Sequence, residues 1–455
     1  MNHVKTQKTG WGVILLSLFC LGLLSLGDVL STAGAAASQV ACRVELDRSV
    51  LPADGPQQVV VKVTLDAPQP PSEIARPPVN LCIVLDRSGS MSGQKIEKAK
   101  EAAIEALRRL GAGDLFSLVV YDHNVDTIIP AQSAVNTEWI ESRIRSIYPG
   151  GNTALFGGVS QGASEIRKNL SSRYVHRVIL LSDGLANVGP STPEDLGRLG
   201  AALIKEGISV TTIGVGTDYN EDLMTRLSQN SDGNTYFVES GRDLPRIFTA
   251  ELGDVLNVVA KQVNVIIECP DGIEPIKIIG RDGRIKRGKV ELSLNQLYGG
   301  QEKYALVEVR VPPGKSGKDI DIATARVTYE NPFTQKRETS TGSARATFSA
   351  DKKAVEKSAN VDVQRELHLN LKAEAEEEAI EYFDAGNAPA AIGTLKQSAR
   401  ELKERGRALK DDVLLEEADK MEKQADILEQ EGLSKVKRKE MRTDSYQLKN
   451  QQLSK

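Results

Sequence analysis

The sequence predicts an α/β protein: an open, mostly parallel sheet flanked by helices, joined to a β-sandwich and a C-terminal α-helical region. Three observations predict it. Between 79 and 257, short apolar runs such as Leu81-Cys82-Ile83-Val84-Leu85 and Val178-Ile179-Leu180-Leu181 alternate with helical periodicity. That is the pattern of strands buried on both faces of a parallel sheet. From 258 to 350 the segments are strand-like and separated by Gly- and Pro-rich turns, as in an antiparallel sandwich. Beyond 351 the chain is highly charged, and Leu414, Ala418, Met421, Ala425 and Leu428 recur at helical spacing.

Residues 1–37 read as a secretory signal. Lys5 and Lys8 precede an apolar run from Trp11 to Leu26, and small residues end at Ala35-Ala36-Ala37. The mature chain is then secreted, periplasmic or at the cell surface, with envelope association open. An uncleaved membrane anchor is the other reading, because the apolar run nearly spans a bilayer. After cleavage Cys42, Cys82 and Cys269 remain. Cys82 belongs to an apolar strand, so Cys42 and Cys269 are the candidate disulfide in an oxidising compartment.

Residues 38–78 read as two strands, 44–50 and 58–65, followed by a Pro-rich linker. These strands could complete the sandwich, with the α/β domain inserted in one of its loops. Within 79–257, a helix over 94–110 follows the first apolar strand, with Ile96, Ala99, Ala103, Ala106, Leu107 and Leu110 on one face. Strands 115–121 and 125–129 flank the turn Asp122-His123-Asn124. Helices over 137–147 and 155–169 lead to the strand at 178–181. Helices 193–206, 220–228 and 242–257 then alternate with strands 208–213 and 235–238. In the C-terminal region, 351–455, helices are expected over 361–384, 388–405 and 409–431, with a loose polar tail after Gly432.

A length of 455 residues suggests two to four domains. A net charge of −4 gives no electrostatic footprint for nucleic acid. Aromatics are 4% of the chain, which argues against an aromatic-lined sugar or base site. Ser88 or Ser90 as a nucleophile would need a base, yet none of the four histidines belongs to a triad pattern. The run Gly89 to Lys95 lacks phosphate-loop spacing. The basic run 435–442 reads as a solvated tail, and Lys95 and Lys98 as the exposed face of the first helix.

Asp86, Ser88 and Ser90 follow the first apolar strand at alternate positions, so in an extended turn their side chains point the same way. A carboxylate with two hydroxyls at the carboxyl end of a parallel strand suits a small hard cation that takes oxygen ligands. By itself the pattern is weak evidence and more often a turn, since Asp and Ser are common there. Two later loops carry Thr153, behind Gly150-Gly151-Asn152, and Asp183, between Ser182 and Gly184.

At these residues the chain resembles the von Willebrand factor type A family, and with its outer domains the secreted bacterial proteins of that family. The family's metal-ion-dependent adhesion site is DxSxS, then a Thr, then an Asp on later loops. Asp86, Ser88, Ser90, Thr153 and Asp183 match it, with Asn187 and Gly189 as companions, over about 79–255. The resemblance implies that Ser88, Ser90 and often Thr153 touch Mg2+ while Asp86 and Asp183 largely hold its waters. Mn2+ could substitute, and Ca2+ suits so small a shell less well. It further implies a non-enzymatic, adhesion-type module whose protein partner offers an Asp or Glu to the metal. The alternative reading is a structural or adaptor protein of the cell envelope, in which a metal only stabilises the fold.

Overall fold

The computed structural model describes residues 39–452; the signal expected over 1–37 lies outside the described residues. The chain begins with β1 (Ala41–Leu46), β2 (Val50–Pro52) and β3 (Gln57–Asp66). Three strands stand where two were expected. The break falls at Asp47-Arg48-Ser49, where the Asp47 carboxylate accepts the backbone N–H of Val60 at 2.9 Å. That bond turns the chain, and β2 joins the opposite sheet.

The type of chain then changes. Strands β4 (Val79–Asp86), β5 (Leu115–Tyr121), β6 (Val125–Ser133), β7 (Val175–Ser182), β8 (Ile208–Val215) and β9 (Thr235–Val238) form one sheet in the order β6-β5-β4-β7-β8-β9. All its pairings are parallel except β5 with β6. The order reverses beside β4, so β4 and β7 diverge into loops at a switch point. Helices α1 (Gln94–Arg108), α2 (Thr137–Arg145), α3 (Leu155–Arg167), α4 (Pro193–Leu203), α5 (Glu221–Asn230) and α6 (Leu244–Val255) cover both faces. One apolar cluster joins α1, α2 and α6 to the sheet, and a second joins α3, α4 and α5 to its other side. Central β4 and β7 are buried at every residue, which is why each carries an unbroken apolar run, over 81–85 and 178–181.

The chain then re-enters the sheets it left. Strands β10 (Val258–Glu268), β11 (Glu274–Ile279), β12 (Arg284–Lys286), β13 (Lys289–Tyr298), β14 (Glu302–Val311), β15 (Asp319–Asn331) and β16 (Lys336–Ser349) assemble with β1–β3 into two sheets. Their orders are β1-β3-β14-β11 and β12-β13-β10-β15-β16-β2. Val59, Val61, Val63 and Val307 of the first sheet and Val263, Val265, Ile267 and Val327 of the second share one core. The α/β sheet is thus inserted between β3 and β10 of a sandwich.

The expected bridge between Cys42 and Cys269 is not formed, since both are free thiols. Cys42 lies on β1, whose backbone passes so close to Gly342 of β16 that a Cβ there would meet the Cys42 carbonyl at 2.6 Å. Cys269 follows the end of β10, two strands from β16 across β15. β1 and β10 belong to different sheets of the sandwich, so the two thiols sit on opposite layers. Burial raises both thiols to about 11, with Asp66 adding to the shift at Cys42.

The C-terminal region holds α7 (Lys352–Lys357), α8 (Val361–Asp384), α9 (Ala388–Leu409), α10 (Asp412–Glu431) and α11 (Lys435–Lys449). Asn360, Asn387 and Asp411 cap α8, α9 and α10 with side-chain oxygens. The expected stripe from Leu414 to Leu428 is fully or almost fully buried between these helices. The loose tail expected after Gly432 is instead a helix: Ser434 accepts the Lys437 N–H and starts α11. This helix lies against α5, α8 and β9. Gln452, just past it, donates to the Thr235 carbonyl and accepts the Thr235 N–H, both at 3.0 Å. Among the described residues no helix is long and apolar enough to cross a membrane.

Candidate metal site

Three loops at the carboxyl ends of β4 and β7 bring the expected residues together. β4 ends at Asp86, which is wholly buried. Its carboxylate accepts the Ser88 N–H at 2.8 Å and the Ser182 hydroxyl at 2.8 Å. These bonds fold the segment after β4 into a tight turn, continued by a single 3₁₀ turn at Gly89–Met91. Burial pushes Asp86 up to about 6, against the opposing bonds from Ser88 and Ser182 and with the Asp183 charge adding to the rise.

The hydroxyls of Ser88 and Ser90 lie 3.0 Å apart, and Ser90 donates to Asp183 Oδ1 at 2.7 Å. Thr153 arrives on the loop before α3. Its N–H donates to Asn187 Oδ1 at 2.8 Å, and its carbonyl accepts the Asn187 N–H at 3.1 Å. Gly151 bends this loop at φ +81°, where a Cβ would strike His123 Nδ1 at 2.2 Å; its carbonyl accepts the Gly89 N–H at 3.1 Å. Convergence is clearest at Gly184. A Cβ there would stand 3.3 Å from the Ser90 and Thr153 hydroxyl oxygens and 3.8 Å from that of Ser88. Only glycine leaves that space clear.

The donor set is therefore three hydroxyls backed by two fully buried carboxylates. Among the described residues no cluster of three or more His, Cys, Asp or Glu stands ready for a metal. Soft or imidazole-bound ions have no place to bind in such a set, whereas small, oxygen-preferring cations fit it. His123 sits in the turn after β5, and His176 lies on β7 with Nε2 3.0 Å from the Ser171 carbonyl. Asp122 holds the same turn, accepting the Asn124 N–H at 2.7 Å and pairing with Arg87 at 2.9 Å.

Sequence reasoning missed three neighbours. Lys95, expected on a solvated helix face, reaches back to Asp183 Oδ2 at 2.5 Å. Leu185, directly after Gly184, is 59% exposed. The third is α11, whose Lys435, Arg438 and Lys439 line the same cavity of about 680 Å³ as Ser88, Ser90 and Thr153. Those basic residues are not a solvated tail. Arg438 bonds Glu221, Asp222 and Asp384, and Lys439, 3% exposed, holds Glu221 and the Tyr219 carbonyl. Arg442 Nε lies 2.8 Å from Asp222 Oδ1, an ion pair without hydrogen-bond alignment.

The sequence model of the von Willebrand factor type A domain matches residues 80–250. The chain carries a type A domain. An uncharacterized protein of Synechocystis sp. is 26% identical over 267 residues, which are 56% of this chain and 63% of that protein. An uncharacterized protein of Escherichia coli strain K12 is 24% identical over 299 residues, 61% of this chain and 52% of its own. The chain thus spans roughly half to three-fifths of the length of these relatives. An inter-alpha-trypsin inhibitor heavy chain of Homo sapiens is 27% identical over 165 residues, 34% of this chain and 18% of that protein. Among solved structures, a von Willebrand factor type A protein of Catenulispora acidiphila superimposes with a TM-score of 0.66 at 18% identity, covering 83% of this chain and 89% of that one. An ArnB paralog of Sulfolobus acidocaldarius does so with a TM-score of 0.61 at 17% identity, covering 90% and 98%. Both likenesses are of fold, and both extend beyond the type A domain into the rest of the chain. The type A family is often involved in metal-dependent protein interaction.

Proposed function

We propose that this type A domain is a non-enzymatic, divalent-cation-dependent protein-binding module acting outside the cytoplasm. The observation that supports it is the packing of the Ser88, Ser90 and Thr153 hydroxyls around Gly184, at the floor of an open cavity with Asp86 and Asp183 behind them. Neutral hydroxyls neutralise a bound Mg2+ poorly, which leaves it attractive to an Asp or Glu of a partner. The buried carboxylates orient the hydroxyls and the waters of such an ion. Mn2+ could replace Mg2+; Ca2+ prefers a larger shell.

The test is retention of partner proteins on the immobilised chain in Mg2+ and their release by EDTA. Asp86→Ala should weaken metal uptake about 10–100-fold and retention with it. One observation favours a structural reading instead: the site loops are already tied together by Gly89 with Gly151 and by Thr153 with Asn187. Retention that survives both EDTA and Asp86→Ala would favour that reading.

A further inference from the structure

We propose that the ligand of this face is an extended acidic segment of a partner protein, and that Lys435 and Leu185 select it. This deepens the metal-dependent reading above and rests on it. The hydroxyl cluster is not on a flat surface. It forms the floor of the 680 Å³ recess, and the N-terminal turns of α11 supply one wall. The recess is open to solvent but bounded by the site loops and by α11, so a protruding chain segment fits it better than a broad protein face.

Charge on the α11 wall is almost fully paired. Arg438 serves Glu221, Asp222 and Asp384, and Lys439 serves Glu221. With Arg442 also paired to Asp222, the three carboxylates Glu221, Asp222 and Asp384 are balanced by three cations and add no net repulsion of an acidic ligand. Lys435 differs. Its one ion pair is with Asp218 at 3.1 Å, and the two side chains are 74% and 69% exposed. Exchanging that water-washed contact for a ligand carboxylate costs little. Across the recess, Leu185 offers an apolar surface beside Gly184 and the three hydroxyls. A matching segment therefore carries one acidic residue over the hydroxyls, an apolar residue against Leu185 and a second acidic residue for Lys435.

The experiment selects random short peptides, displayed on phage, on the full mature chain in Mg2+ with elution by EDTA. Sequences with paired acidic residues and an apolar residue are expected. On Lys435→Glu, whose site is exposed and spares the fold, EDTA-eluted peptides should lose the second acid and keep the first. A peptide selected on the native chain should bind Lys435→Glu about fivefold more weakly, the scale of an exposed ion pair. Leu185→Ser should relax the apolar preference alone. EDTA-eluted peptides with a single acid on both chains would overturn the inference and leave the metal reading standing. Peptides that bind equally with EDTA or on Asp86→Ala would overturn both, and failure to enrich any peptide would overturn the segment preference.

Discussion

The type A domain is held at its base by Arg177 and Glu251 and at its rim by Arg438 and Lys439, and the two joints are built on different physics. At the base, the guanidinium of Arg177 on β7 lies 3.3 Å from Glu251 on α6, both wholly buried. Arg177 also donates to Gln296 and Tyr298 of the sandwich, each at 2.7 Å. Thr211, Asn234 and Tyr236 donate to Glu251 at 2.5, 2.8 and 3.1 Å. Any shift of α6 along its axis breaks several of these bonds in a place water does not reach. At the rim, α11 is docked by ion pairs shared among several partners, those of Arg438 partly in water, beside the loops of Ser88 and Thr153. A domain fixed rigidly at one end and electrostatically at the other should respond to its surroundings at the second end only.

The largest effect is expected at the base. Arg177→Met leaves Glu251 buried without its cation, and denaturant unfolding should show a loss of about 3–5 kcal/mol. Replacing both partners by Met should recover a good part of it. Next is Asp86→Ala, for which calorimetric titration with Mg2+ or Mn2+ should show affinity reduced about 10–100-fold while the base joint stays intact. Arg438→Ala should cost about 1–2 kcal/mol. Hydrogen exchange should rise through α11, more so in high salt, with no change at α6. Equal loosening of α6 would break the contrast between the joints. Lys95→Met removes a cation beside Asp183 and should tighten Mg2+ binding about threefold; an unchanged affinity would mean that Lys95 swings clear of the site.

A pH effect is smaller and has a definite sign. Asp86 is raised from 3.8 to about 6 in the folded chain, so the folded state holds a proton that the unfolded state releases first. Stability from this group is complete below about pH 4 and is lost as pH rises through 6. Without divalent cation, the melting temperature of the native chain should fall over that window relative to Asp86→Asn.

The core of the domain was legible because burial on both faces writes itself as runs such as Val178 to Leu181. The convergence of Asp86, Ser88, Ser90, Thr153 and Asp183 was legible through the family resemblance alone, because Asp and Ser at alternate positions after a buried strand are also common turn residues. The insertion was half visible: β3 carries Val59, Val61, Val63 and Leu65 at alternate positions, but its partner β14 lies more than 230 residues away in sequence. The α11 helix was not legible as a packed element. Its buried positions are Lys439, Met441, Thr443, Ser445 and Tyr446, so it docks through polar bonds and carries no apolar stripe. Gly432 followed by Ser434 was the available cue, a helix stop and then a cap. Lys95 gave no signal, because its role depends on a loop 88 residues onward.

The contact between Gln452 and Thr235 has a consequence for the whole sheet. Strand β9 is one of its two edge strands, and Thr235 would otherwise present a bare N–H and C=O to any extended chain. One glutamine amide satisfies both, as a neighbouring strand would, while Gln447 adds a second donor to the same carbonyl at 2.9 Å. The end of the helical region thereby acts as a stopper against edge-to-edge growth, and losing it would leave a folded protein prone to stick to its own copies.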